Sequence, residues 1–408
     1  MSRFLWTQKQ DTGPSGRFGH AMAYDADRAI VVLFGGCSSE SQNDTWEWDG
    51  EYWTQMADIG PSARFLHALV YDGERKRTVL FGGKRNGSPV GDTWQWNGED
   101  WTQVNDEGPA ARSEHSMAFD TERKRIVLFG GQSDNQQLHG DTWEWDGQSW
   151  TQQQDVGPSP RRGHTMAYDS KRKRTVLFGG QSQAAPMGDT WEWNGSIWTQ
   201  MADFGPDASI GAAMAYDGEN VLIYGGISSL AAEPAPEVFG NTWEWDGKHW
   251  TQRQDIGPGP RWRHAVAFDS KIGCLVLFGG IASFAPPDQR ATDARRDTWE
   301  SSESGSKDTA DTVTLGSFTF APPGPVGFDT PVTAILTLTG PSPAGGTVVT
   351  LVPDAPLPGI PTSMTIQPRA TVGQFTFNAP FMGLGGQFKI KATAGGVTIT
   401  AVIFIAVT

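Results

Sequence analysis

The residue types best suited to chemistry recur in register along the chain. Arg17 and His20, Arg64 and His67, Arg112 and His115, Arg161 and His164, and Arg261 and His264 form Arg-x-x-His pairs. Arginine presents a planar fork that matches carboxylate, phosphate or sulfate, and imidazole serves as acid, base or metal ligand. At a further equivalent place stand Ser209 and Ala212. Repetition supports two readings. The pairs ring an anion or polar-ligand site, or they are a scaffold motif that bonds loop carbonyls and neighbouring repeats. Both stay open and they can coexist. No Cys or carboxylate joins the histidines as a ligand set, so no metal and no cofactor is expected. Glu114 lies between Arg112 and His115 as an acid without counterpart in the other pairs. Phe18, Trp262 and Arg263 occupy other variable places of the motif.

The elements that position these residues follow from the repeat. The chain has 408 residues, with 50 Gly, 26 Pro and 18 Trp. Short apolar runs closed by Gly-Gly, Asp-Gly or Gly-Pro recur and long helical patterns are absent, which predicts an all-β protein. Phe/Tyr-Gly-Gly ends at Gly36, Gly83, Gly131, Gly180, Gly226 and Gly280. An Asp-Thr-Trp-Glu-Trp-like strand follows each, and Trp-Thr-Gln begins at Trp6, Trp53, Trp101, Trp150, Trp198 and Trp250. Each unit thus reads as four short strands. In the second, these are about His67–Tyr71, Thr78–Phe81, Thr93–Trp96 and Trp101–Val104. The paired Trp residues two apart share a strand face and are read as packing between blades.

The ends are out of phase. Leu5-Trp6-Thr7-Gln8 is a fourth strand with no first three before it. The last unit, His264 to Glu300, lacks a fourth. The N-terminal strand is therefore expected to complete the last blade, closing the ring and removing its open edge. The pattern Pro-x-x-Arg-x-x-His, apolar strand, Gly-Gly, Trp strand resembles kelch repeats over residues 1 to 300. The resemblance implies a six-bladed kelch-type β-propeller, mostly used as a binding scaffold through the face carrying the loops that enter the first strand and link the second to the third. Some kelch propellers resemble galactose oxidase, a copper enzyme with a cross-linked Tyr–Cys pair and a histidine from its C-terminal domain. Here no histidine follows His264, which excludes that chemistry.

Composition changes after Glu300. Residues 301–312 are a polar linker. From 313 to 408 there is no Trp, Tyr, His or Cys, and alternating runs such as Val332 to Leu338 read as half-buried strands. About seven strands over this length predict an immunoglobulin-like β-sandwich, resembling bacterial accessory domains. Its low charge suits assembly on another surface. The net charge of −14 argues against nucleic acid as partner. No run approaches the ~20 apolar residues of a membrane span. The N-terminus carries no signal-peptide pattern, so a cytoplasmic location is expected.

Two further patterns bear on partners. Arg75-Lys76-Arg77, Arg123-Lys124-Arg125 and Lys171 to Arg174 place basic turns on one face; they read as solvated turns or as a dock for an acidic partner. Long loops at Ile227–Gly240 and Ile281–Arg296 flank the gap at Ala212. Specificity concentrates in such loops. The expected site is a pocket skewed to the fifth and sixth repeats, walled by Phe18, Arg261, Trp262 and Arg263. The expected ligand is a protein segment or a glycan. An enzyme using the ring residues at the channel mouth is the alternative.

Overall fold

The computed structural model describes the chain apart from residues 1–3, 10–12, 57–58, 106, 154–155, 202–204, 232–234, 254, 285–292, 304–314, 323–324, 328, 339–346, 354–359, 368–369, 380–385, 395–396 and 406–408. No helix occurs among the described residues, so none is long and apolar enough to cross a membrane. The chain divides into two compact units, Met1–Glu303 and Ser304–Thr408.

In the first unit every repeat becomes an antiparallel sheet. The second repeat is typical: Ala68–Asp72, Arg77–Phe81, Thr93–Trp96 and Trp101–Asn105, paired in that order. In this repeat short turns join the first strand to the second and the third to the fourth, while a longer loop joins the second to the third, and all three pairings are antiparallel. In the last sheet, Ala265–Asp269, Cys274–Phe278 and Thr298–Glu303 are joined by Phe4–Gln8. Phe4 pairs with Glu303 and Gln8 with Trp299. The N-terminal strand thus completes the last sheet, as the phase of the motifs predicts. Asp255–Ile256 adds a short parallel strand against Phe4 and Leu5. The expected linker begins later than residue 301, because Ser301–Glu303 continue the sheet as partners of Phe4–Trp6.

Each sheet buries both faces, so its second strand is apolar over most of its length. Val31 to Phe34 and Ile126 to Phe129 are fully buried. Separate apolar clusters therefore form between neighbouring sheets rather than one core. One joins Met22, Val31, Leu33 and Trp48 to Val276 and Phe278, which links the first sheet to the last. Trp residues stitch the sheets together. Trp53 donates from Nε1 to Thr298 Oγ1 at 2.8 Å, and Trp101 to Thr45 Oγ1 at 2.8 Å. Trp150, Trp198 and Trp250 donate to Thr93, Thr142 and Thr190 in the same way.

The Gly-Gly pairs are dictated by this contact between sheets. Gly35 has φ +62°, and a Cβ there would lie 2.7 Å from the carbonyl oxygen of Arg64 in the next sheet. Gly36 donates to that same carbonyl at 2.9 Å. The bond recurs from Gly83 to Arg112, Gly131 to Arg161, Gly180 to Ser209, Gly226 to Arg261 and Gly280 to Arg17.

The second unit has seven described strands in two sheets. Leu315–Ala321, Pro331–Leu338 and Val372–Asn378 form one. Thr347–Pro353, Ser363–Ile366, Gly386–Ala394 and Val397–Ile405 form the other. Phe318, Val332 and Leu336 from the first sheet share a core with Val349, Leu351, Ile390 and Ile403 from the second.

Candidate functional site: the axial mouth

The repeated arginines are spent inside their own repeats. Arg17, Arg64, Arg112, Arg161 and Arg261 are at most 1% exposed. Arg17 grips Asp44 with both Nη atoms, at 2.6 and 2.9 Å, and donates to the Gly35 carbonyl at 2.9 Å. Arg64 holds Asp92, Arg112 holds Asp141, Arg161 holds Asp189 and Arg261 holds Asp297 with the same fork. Each aspartate opens the Trp strand and also accepts Nε1 of the first Trp, as Asp44 does from Trp46 at 2.7 Å. Burial pushes the Asp44 carboxyl up, but the bond and charge of Arg17 outweigh it and hold the group below its usual value. The arginines thus take the scaffold role of the two expected: each buried fork is occupied by a carboxylate and carbonyls of its own repeat.

The histidines pack one step round the ring. His20 meets Phe278 edge-on at 5.5 Å, and His67 meets Phe34 at 5.5 Å. His115, His164 and His264 meet Phe81, Phe129 and Tyr224. Their ring nitrogens are buried and make no side-chain hydrogen bond of normal geometry. Burial, then the charge of the neighbouring arginine, lowers His67, His164 and His264 to about 3 and takes His20 and His115 well down. They are neutral at pH 7. All five line a cavity of about 110 Å³, with Ala212 at the sixth place.

Over that cavity lies a feature of the backbone alone. The residues one place before the histidines, and before Ala212, are Gly19, Leu66, Glu114, Gly163, Gly211 and Arg263. All have φ between +53° and +66°. Leu66 donates its N–H to the Gly19 carbonyl at 2.7 Å, Glu114 to Leu66 at 2.9 Å, and Gly163 to Glu114 at 2.8 Å. Gly211 donates to Gly163 at 2.8 Å, Arg263 to Gly211 at 2.7 Å, and Gly19 to Arg263 at 2.8 Å. The bonds form a circle. Three members carry side chains on a left-handed backbone that disfavours them by about 1 kcal/mol or more each.

Two of those side chains are opposite charges from places three steps apart, so they face each other across the circle. Arg263 Nη2 donates to Glu114 Oε1 at 2.7 Å. The pair is largely buried, with 19% and 4% of the side chains exposed. Arg263 also sits over Trp262, 4.5 Å from the ring centroid. Glu114 Oε2 accepts no hydrogen bond and lies 3.6 Å from Nε of Arg162. Arg162 itself donates to Gln132. Burial is the largest influence on Arg263 and lowers its pKa; the charge of Glu114 opposes that.

The expected pocket at the fifth and sixth repeats is filled. Trp262 is 2% exposed and packs with Ile210, Ile227 and Ile281. Its Nε1 donates to the Ser283 carbonyl at 3.2 Å. Phe18 is half-buried against the same cluster and meets Phe65 edge-on. Described residues of both loops, among them Leu230, Val238, Phe284 and Ala294, pack on this small core. Pro234, Pro286 and Pro287 lie outside the described residues. Of the residues singled out by sequence, the mouth gathers Glu114 and Arg263 over the histidines and leaves the repeated arginines behind. Arg162 and Leu66 were not singled out. Leu66 had a visible signal: its place is glycine in three of the six repeats.

The lysines of the basic turns are matched internally. Lys76 pairs with Asp27 at 2.7 Å, Lys124 with Glu74 at 2.8 Å and Lys173 with Glu122 at 2.7 Å, each across two repeats. Lys171 pairs with Glu219. The strand glutamates are occupied too: Glu47 takes Arg28 and the indole of Trp96, and Glu144 takes Arg123 and the indole of Trp193. Among the described residues, no group of three or more His, Cys, Asp or Glu could hold a metal ion.

The repeated four-stranded sheets, the Gly-Gly contacts and the Arg–Asp forks make an all-β repeat architecture similar to that of kelch-type β-propellers. The family described as the KLHDC2/KLHL20/DRC7 Kelch-repeats domain matches residues 95–280. Among solved structures, one titled "Structure of YjhT" is similar, at a TM-score of 0.57 and 14% identity, over 70% of this chain and 95% of that one. Another, a fungal alcohol oxidase of the AA5 family in complex with copper, is similar at a TM-score of 0.47 and 13% identity, over 96% of this chain and 86% of that one. No curated protein matches.

Proposed function

We propose that the first unit is a closed six-bladed kelch propeller acting as a binding scaffold, recognising a protein segment or a glycan through the face that carries the axial mouth. The second unit is read as an immunoglobulin-like sandwich that serves as spacer or assembly module. The observation that carries the reading is the Glu114–Arg263 pair, held on left-handed backbone over imidazoles without side-chain partners. Charged side chains kept on left-handed backbone at the mouth support reading it as a working site. Arg162 and Arg263 surround one carboxylate, so a ligand group that can replace Glu114 between them is the natural occupant.

The test is selection on peptide and glycan arrays, repeated with Arg162→Met and Arg263→Met. Binding that weakens about tenfold or more in both variants supports the mouth as the site. Binding untouched by both removes it. A second reading, an enzyme at the same mouth, rests on Glu114 Oε2, a buried carboxylate oxygen without a hydrogen bond and hence available as acid or base. Turnover abolished by Glu114→Gln while ligand still binds selects that reading.

A further inference from the structure

A second cavity opens away from the axis, between the second and third repeats. It is larger, about 680 Å³, within the range of ligand pockets. Its walls include Ser62, Arg85, Gly91, Asp92 and Trp94. The second repeat differs from the others here. Its loop after Gly-Gly forms a small hairpin, Lys84–Arg85 against Ser88–Pro89, turned by Asn86 and Gly87 with φ +52° and +89°. That turn presets the hairpin, because both residues adopt the left-handed conformation it demands.

The charge of this cavity is uneven. Asp92 is already neutralised by the Arg64 fork and by the indole N–H of Trp94 at 2.8 Å. Lys84 and Arg85 make no ion pair among the described residues, and Arg85 is exposed. Elsewhere on this unit the basic turn residues Lys76, Lys124, Lys171 and Lys173 each have an acidic partner. An unspent guanidinium therefore stands beside a half-buried indole and a serine hydroxyl in an open groove. Guanidinium binds carboxylate with a fork, and an indole face accepts the apolar face of a sugar ring.

We propose that this groove binds an anionic oligosaccharide, with a uronate carboxylate on Arg85 and a neighbouring sugar ring against Trp94. The site does not depend on the axial mouth: Arg85 and Trp94 take no part in the Glu114–Arg263 pair, and the mouth could fail while the groove stands.

Isothermal titration of the full chain with trigalacturonic acid tests it. The proposal expects saturable one-to-one binding. Binding should weaken about tenfold or more for the methyl-esterified trimer and for Arg85→Gln, an exposed change that leaves folding intact. Lys248→Gln, an exposed change on the fifth repeat, should leave it unchanged. Trp94→Phe keeps an aromatic face and should bind within about threefold of the parent, while Trp94→Ala should not. No saturation up to about 10 mM overturns the proposal, since such affinity is too weak for a built site. Equal binding by Arg85→Gln overturns it as well. Preferential binding of hexaglutamate replaces the sugar by an acidic peptide and overturns the assignment of class.

Discussion

At the scale of residues, the Glu114–Arg263 pair sets up an unusual mutational pattern. Removing one partner leaves a largely buried charge alone, so Glu114→Gln and Arg263→Met should each cost about 2 kcal/mol after allowing for the exposed part of Arg263. The double change to glycine removes both charges and both left-handed side chains. It should be more stable than either single variant in thermal denaturation, and a double variant no more stable than the single ones would refute the picture of strain held by an ion pair. The histidines predict a pH effect of definite sign. Their unfolded value lies near 6.5, whereas burial holds His67, His164 and His264 at about 3. Between those values the unfolded chain binds more protons, so stability is complete above pH 6.5 and falls as pH drops toward 3. The clamped aspartates, lowered from 3.8, add their loss only below that value. Urea midpoints measured from pH 7 to pH 4 should therefore fall steeply before the carboxylates titrate. A flat profile above pH 4.5 would show the imidazoles to be solvated.

At the scale of elements, the Arg–Asp fork decides how each Trp strand begins. Asp141→Asn should weaken the third sheet by about 3 kcal/mol, because Arg112 is 1% exposed and would keep its charge without its counterion. Loss of the transition midpoint in guanidinium would measure it. A repair is also available. Trp48, Trp96, Trp193 and Trp245 donate to a glutamate of the neighbouring sheet, but the second repeat has Gln95 there, and Nε1 of Trp145 is buried without a bond. Gln95→Glu should raise stability by about 1 kcal/mol, read as a higher melting temperature. These strands were legible in the sequence because the repeat fixes their order and the period-two alternation fixes their faces. Thr93–Trp96 was placed to the residue, and the completion of the last sheet followed from motif phase alone. The role of Arg17 and its equivalents was not legible. Their partners lie 27 to 36 residues on, and only the three-dimensional return of the chain shows that Asp44 or Asp297 meets them. The buried place of Trp262 was hidden for a similar reason: a loop of unusual length reads as exposed until its own Ile281 is seen to cover the ring.

At the scale of the whole molecule, the first unit depends on contact between its two ends. Phe4–Gln8 covers the edge of Thr298–Glu303, and Trp6 is buried with Tyr224, Leu275 and Leu277. A variant lacking residues 1–9 should expose that edge and self-associate, visible as higher-mass species in size-exclusion chromatography with light scattering. A monomer of unchanged melting temperature would deny the strand its role. The same arrangement orders events in time. The first five sheets pair strands close in sequence, and each can form as soon as it leaves the ribosome. The sixth cannot, since its outer strand is made first and must wait nearly three hundred residues for Thr298–Glu303. Synthesis at roughly 5–20 residues per second makes that wait tens of seconds. Through it, Leu5 and Trp6 have no sheet to join, and the nascent chain has an unsealed strand at each end. Refolding of the intact unit should then be limited by this one distant encounter rather than by the local hairpins.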